Sequence, residues 1–184
     1  MQFAAAAAAA PDWRLERAEP DMADEIRTMQ ARSMRVLGRG FYAPEAIESF
    51  LRHVGTLDQA VVAEGHYFVV RDGDGAVIGS GGWSRLRPFY EGGGEGGKGP
   101  PVVRSVFVDP DHARRGIATA LMRHAESDAA AHGCRMLRLC ATLSGVPFYE
   151  SLGYRPLRRR VLRLGDGAGL ACVDMEAMLA QVAA

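Results

Sequence analysis

The chain has 184 residues, 48% of them hydrophobic, which is the size of one compact domain with a full core. Lys+Arg and Asp+Glu are equal at 22 each, so no global field draws nucleic acid or an anionic membrane, and any polyanion site must be local. Three unclustered cysteines and scattered histidines (His53, His66, His112, His124, His132) show no metal spacing, so no metal is expected and a reducing cytoplasm is.

Cys134 and Cys140, placed on one strand, stand about 20 Å apart at strand rise, too far for a bridge. The alanine run from Met1 to Ala10 is short for a signal segment and reads, through residue 11, as a disordered tail ahead of a single domain over 12–184. No stretch approaches the roughly 18 to 20 apolar residues of a membrane helix, so a soluble chain is expected.

Trp13 to Ala18 is a strand candidate. Asp21 is placed to cap a helix carrying Ile26, Met29, Met34 and Leu37, which Gly38 and Gly40 break. Pro44 suits a first helical turn, and Ile47, Phe50, Leu51 and Val54 form an apolar stripe at i, i+3, i+4 and i+7. His66–Arg71 and Ala76–Leu86 flank Asp72-Gly73-Asp74-Gly75 and read as a hairpin.

The segment Gly92 to Gly99 nearly fits a phosphate-binding loop around Gly97-Lys98, and Gly94, Gly96 and Gly99 fit GxGxxG. No Ser or Thr follows Lys98, and Pro100-Pro101 removes two backbone donors. A flexible loop over a cleft is the better reading, and nucleotide binding here is the outsider.

Val102–Val108 is the next strand, closed by Asp109-Pro110. An amphipathic helix over about Arg114–Ala131 buries Ile117, Ala118, Leu121, Met122, Ala125 and Ala129. Met136–Ala141 reads as a buried strand, Val146–Leu152 as a short helix ended by Gly153, and Tyr154–Leu164 and Leu170–Met175 as a closing strand pair. The order is β, α, α, β, β, β, α, β, α, β, β.

A strand, an Asp-Pro turn, an Arg-rich loop and a helix opening with Gly116-Ile117-Ala118 make a sensible phosphate site, because the first helical N–H groups lack intrahelical partners. Small residues let a pyrophosphate approach the backbone, Arg114 and Arg115 add charge-assisted bonds, and Thr119 adds a hydroxyl. The competing reading is an ordinary glycine turn with solvated arginines, and the loop alone does not decide between them.

Val106-Phe107-Val108-Asp109-Pro110 before this loop, and Val146-Pro147-Phe148-Tyr149-Glu150-Ser151-Leu152-Gly153-Tyr154 after it, together resemble the GNAT N-acetyltransferase superfamily. The resemblance implies a mixed α/β fold: a mostly antiparallel sheet of about seven strands with a V-shaped split between the fourth and fifth, flanked by about four helices. It implies acetyl-CoA as cosubstrate, with the pantetheine arm along Val106, Phe107 and Val108. The pyrophosphate would lie on Arg114, Arg115, Gly116, Ile117, Ala118 and Thr119, with Ser144 and Phe148 nearby. The expected partner is a small-molecule or peptide amine attacking directly in a ternary complex; nucleic acid and membrane are not expected, and a homodimer is left open.

The family pyrophosphate motif is Gln/Arg-x-x-Gly-x-Gly/Ala, and Ala113 departs at its first position, leaving the grip to backbone donors with Arg114 as compensator. Ser144 stands where many relatives carry Asn, and either residue caps a helix. Tyr149 matches the tyrosine that protonates the departing thiolate, and the Val106 N–H would polarise the acetyl carbonyl. The general base is unknown, since Val102 to Ser105 carry no carboxylate; Glu91, Glu95 and His66 are candidates. Tyr42, Trp83, Phe89 and Tyr90 are candidate acceptor-wall residues, though each reads equally as packing. The run Arg158-Arg159-Arg160 either favours an acidic acceptor or forms a solvated sheet edge. An idle acyl-CoA-binding module is the chief alternative to an enzyme.

Overall fold

Alternation along one strand explains the layering. In the computed structural model, which describes residues 12–88 and 98–180, strand β2 (Tyr67–Asp72) is buried on both faces over its first four residues. Tyr67 and Val69 pack with Ile26 and Met29 of helix α1 (Ala23–Leu37) and with Val61 and Val62 of helix α3 (Gln59–Ala63). Phe68 and Val70 pack on the other face with Ile117 and Leu121 of helix α4 (Ile117–Ala131). The period-2 geometry of a strand thus sends one segment to two helix layers.

The sheet has seven strands in the order β1-β2-β3-β4-β5-β7-β6. The others are β1 (Trp13–Arg17), β3 (Val77–Leu86), β4 (Lys98–Val108), β5 (Met136–Thr142), β6 (Arg155–Arg163) and β7 (Gly169–Met178). Every neighbouring pair is antiparallel except β4 and β5, which run parallel and are in register at Val102 and Arg138. Helices α2 (Pro44–His53) and α5 (Val146–Ser151) complete the five α-helices of the described residues. Gly79 lets α4 sit directly on β3, since a Cβ there would lie 2.6 Å from Ile117 Cγ2.

Several expectations need correction. Asp21 is not a helix cap: Pro20–Met22 forms a 3-10 turn, and α1 starts at Ala23 with no side-chain cap. Helix α3 is additional, opened by Asp58, whose Oδ1 accepts from the Ala60 N–H at 2.9 Å. Strand β4 begins at Lys98 rather than Val102; the register slips between Ser84 and Leu86, so Pro100 and Pro101 sit at an irregularity, where a missing N–H costs least. Gly99 lies in that strand, while the tail, Phe89, Tyr90 and Glu91 to Gly97 fall outside the described residues. Strand β6 is the sheet edge, and Arg158 and Arg160 pair with Asp174 across it, which fits the solvated-edge reading of the arginine run.

Candidate active site

Strand β4 carries a bulge where it leaves β5. Its register with β3 slips between Ser80↔Phe107 and Gly82↔Arg104, and Ser105 adopts φ 49°, an unusual conformation for a non-glycine strand residue. Three buried groups hold the bulge. Tyr67 Oη donates to the Ser105 carbonyl at 2.7 Å, and Gln30 Nε2 donates to Tyr67 Oη at 2.8 Å and Ser80 Oγ at 2.9 Å. Helix α1 and strand β2 therefore fix the shape of β4.

Beyond the Val102–Arg138 pairing, a cavity of about 1320 Å³ opens between the two strands. Val106, Phe107 and Val108 line it from β4; Leu139, Cys140, Ala141 and Thr142 line it from β5. Arg114, Gly116, Ile117, Ala118 and Thr119 come from the turn into α4, and Ser144, Phe148 and Tyr149 from around α5. Of the expected cofactor residues, Arg115 alone is not in the lining; it is exposed.

The turn into α4 leaves backbone donors free. Gly116 occupies the left-handed region (φ 81°), as does Arg114 (φ 66°). The first backbone bond of the helix runs from Ala120 N–H to Gly116 O, so the N–H groups of Ile117, Ala118 and Thr119 have no backbone acceptor. Asp109 steadies the approach, with Oδ1 accepting from the Asp111 N–H at 2.9 Å. Arg32 of α1 bridges Asp109 and Asp111. Burial pushes the Asp109 carboxyl up, but the Arg32 guanidinium, the Asp111 N–H and His112 outweigh it and hold the group below the ordinary aspartate value.

Tyr149 is buried in the main core beside Tyr154 and Phe148. Its hydroxyl has no hydrogen-bond partner among the described residues. Burial raises its pKa and keeps it protonated. Helix α5 holds it in place: Pro147 sits in the first turn, and Gly153 at φ 90° ends the helix. Ser144 does not cap α5; Gly145 occupies that position without a side-chain bond, and Ser144 Oγ lies 3.1 Å from Thr142 Oγ1 instead.

Three expected residues lie elsewhere. His66 is not at the cavity; its Nδ1 lies 2.8 Å from Asp128 Oδ2 on α4. Trp83 is 1% exposed in the core, not on a wall. Tyr42 joins the two halves of the fold, its hydroxyl donating to Ala171 O at 2.6 Å and accepting from Leu143 N–H at 2.7 Å; burial pushes its pKa up to about 12. The cavity is lined instead, away from the turn into α4, by Met34, Leu37, Phe41, Phe50, His53, Leu162 and Leu170. Cys140 and Cys172 also line it, with Cys140 Sγ donating to Cys172 Sγ at 2.9 Å. That bond holds the Cys140 thiol protonated and favours the Cys172 thiolate.

Comparison with known proteins agrees with this architecture. A family model described as an acetyltransferase (GNAT) domain matches residues 63–156. A GCN5-related N-acetyltransferase from Rhodopseudomonas palustris superposes with TM-score 0.69 at 22% identity, covering 90% of this chain and 95% of that one. PaiA N-acetyltransferase from Thermoplasma acidophilum, solved in complex with coenzyme A, gives 0.64 at 14%, covering 90% and 98%. The ribosomal-protein-S18-alanine N-acetyltransferase of Escherichia coli gives 0.58 at 16%, covering 94% and 96%. No curated protein matches by sequence. The matched segment holds β2 through α5, with the split, the bulge and the helix-start turn, and the chain belongs to the GNAT acetyltransferase family.

Proposed function

We propose that this chain transfers an acetyl group from acetyl-CoA to a primary amine by direct attack in a ternary complex. The observation that carries the reading is the unpartnered, protonated Tyr149 hydroxyl, in the same cavity as the unpaired N–H groups at the start of α4.

The residues fit the cosubstrate. The Ile117, Ala118 and Thr119 N–H groups, presented over Gly116, would hold the pyrophosphate, with Arg114 adding charge. Val106, Phe107 and Val108 beside the bulge would hold the pantetheine arm by their backbone, and Ser144 and Phe148 would border it. Acetyl-CoA would supply an activated acetyl thioester. The Val106 N–H polarises the carbonyl oxygen. Tyr149 donates its proton to the sulfur as the C–S bond breaks. His53, the lining imidazole on the acceptor wall, takes the amine's proton directly or through water. His53→Gln should then lower kcat with acetyl-CoA affinity unchanged; wild-type kcat in the variant assigns the proton to solvent.

The acceptor side is mainly apolar, with Met34, Leu37, Phe41, Phe50, Leu162 and Leu170, which favours an amine attached to an apolar group. The test is acetyl-CoA titration by calorimetry beside a free-thiol assay over an amine and peptide panel. Thiol release with at least one amine supports the enzyme. Cofactor binding with no release for any amine class would make the chain an acyl-CoA-binding module and end the proposal.

A further inference from the structure

Outside the cleft, the fold assembles a cluster that the chain order conceals. His66 precedes β2, while Asp128 and His132 lie at i and i+4 near the end of α4, so 62 residues separate the first two. His66 Nδ1 lies 2.8 Å from Asp128 Oδ2, and His132 Nδ1 lies 3.7 Å from Asp128 Oδ1. The two imidazoles meet edge to face, with centroids 4.4 Å apart. One ligand atom from each of the three residues falls within 4.8 Å of the others. None of the three lines the active-site cavity.

We propose that His66, Asp128 and His132 form a binding site for a divalent transition metal of the zinc class. Metal–ligand bonds of about 2.0–2.2 Å put tetrahedral donor atoms about 3.4 Å apart, and the observed 2.8 and 3.7 Å separations bracket that distance. His132 Nδ1 also lies 2.8 Å from the Asp128 backbone carbonyl, a bond that ligation exchanges for the ion. Two imidazoles with one carboxylate suit Zn²⁺, Co²⁺, Ni²⁺ or Cu²⁺ over Mg²⁺ or Ca²⁺, which prefer all-oxygen sets.

The surroundings support the same reading. Trp83 Nε1 donates to Asp128 Oδ2 at 2.7 Å, fixing the carboxylate as an outer hydrogen bond fixes a metal ligand. Trp83 also stacks on His66 at 4.3 Å and 24°, which holds that ring in place. The His132 side chain is 50% exposed against 20% for His66 and 16% for Asp128, so the site opens to solvent on one side, where water completes the coordination. On binding, the metal takes the place of the His66 Nδ1–Asp128 Oδ2 hydrogen bond, and both atoms turn to the ion. The site would fasten the start of β2 to the end of α4, so it is a structural site.

The test uses the full chain, stripped with chelator, then titrated with Zn²⁺ in equilibrium dialysis and with Co²⁺ by visible absorption. One ion per chain is expected, with a tetrahedral Co²⁺ spectrum. Cu²⁺ or Ni²⁺ should quench Trp83 fluorescence, a signal read in a Trp13→Phe background. His132→Gln, at the exposed position, should weaken Zn²⁺ on the order of tenfold or more while leaving acetyl-CoA affinity unchanged. No stoichiometric binding by the wild type overturns the proposal. So does wild-type Zn²⁺ affinity in His132→Gln, which would place the ion elsewhere, for example on cysteine.

Discussion

The hydroxyl of Tyr67 reaches across the sheet to the carbonyl of Ser105 at 2.7 Å, and this bond, with a longer one from Gln30 Nε2 at 3.4 Å, ties β2 and α1 to the bulge beside the cleft. Ser105 stands at φ 49°, a conformation that costs of order 1–3 kcal/mol for a non-glycine residue unless its surroundings hold it. Tyr67 is fully buried, so loss of its hydroxyl leaves the carbonyl with only the longer Gln30 bond and no water in its place.

Tyr67→Phe should therefore lower unfolding free energy by about 1–3 kcal/mol, measured by denaturant titration. It should also raise the KM for acetyl-CoA more than that for the amine, because the relaxed bulge turns the β4 backbone away from the cleft. Loss of stability with both KM values intact would show that the bulge does not position the cosubstrate.

Tyr149→Phe keeps the ring in its packing with Tyr154 and removes only the proton donor. We expect kcat to fall about 10²- to 10⁴-fold, the range for a general acid, with acetyl-CoA affinity unchanged. Burial raises the phenol's pKa, so the donor stays protonated through the ordinary tyrosine range near pH 10. Any alkaline loss of activity in the wild type below that pH belongs to another group. A variant with wild-type kcat would remove Tyr149 from the reaction.

The helix-start turn separates backbone from side-chain effects. A Cβ at Gly116 would meet nothing within 4 Å, but φ is +81°, so Gly116→Val is opposed by conformation, by roughly 1–2 kcal/mol, and not by crowding. Acetyl-CoA affinity should drop about tenfold or more while ATP binding, if any, is unaffected. Ala113, at φ −61° and ψ 151°, accepts any side chain. Ala113→Arg should tighten acetyl-CoA binding or leave it unchanged, and clear weakening would mean that this loop does not hold the pyrophosphate.

What could be read from the chain was what local sequence determines. The α4 stripe, the Pro147-to-Gly153 helix and the glycine turn announce themselves through spacing and backbone chemistry, and they carry the family resemblance. The bulge at Ser105 does not, because its conformation is imposed by Gln30 and Tyr67 from distant segments. His66 and Trp83 were candidates near the cleft, but register sends them to the α4 side, against Asp128. Cys140 meets Cys172, not Cys134, since the β5–β7 pairing sets Cys172 opposite Thr142, diagonally across from Cys140. Helix α3 has five residues, too few for a period to show.

The last prediction concerns acid. Arg32 ties α1 to Asp109 and Asp111 just ahead of the turn into α4. Asp109 keeps its pKa below the ordinary value: burial opposes this, but Arg32, the Asp111 N–H and His112 outweigh it. A carboxylate with a depressed folded pKa stabilises the fold fully above its unfolded value near 3.9, and loses that contribution as pH falls through the lower folded value. Arg32→Gln should therefore be less stable than wild type by a constant margin from pH 7 down to about 5, and the margin should shrink below about 4. Because Arg32 is 45% exposed, salt should also narrow it. Denaturant unfolding of both proteins across pH 2–7 measures this directly. A margin that stays constant to pH 2 would show that Arg32 acts through packing and not through its charge.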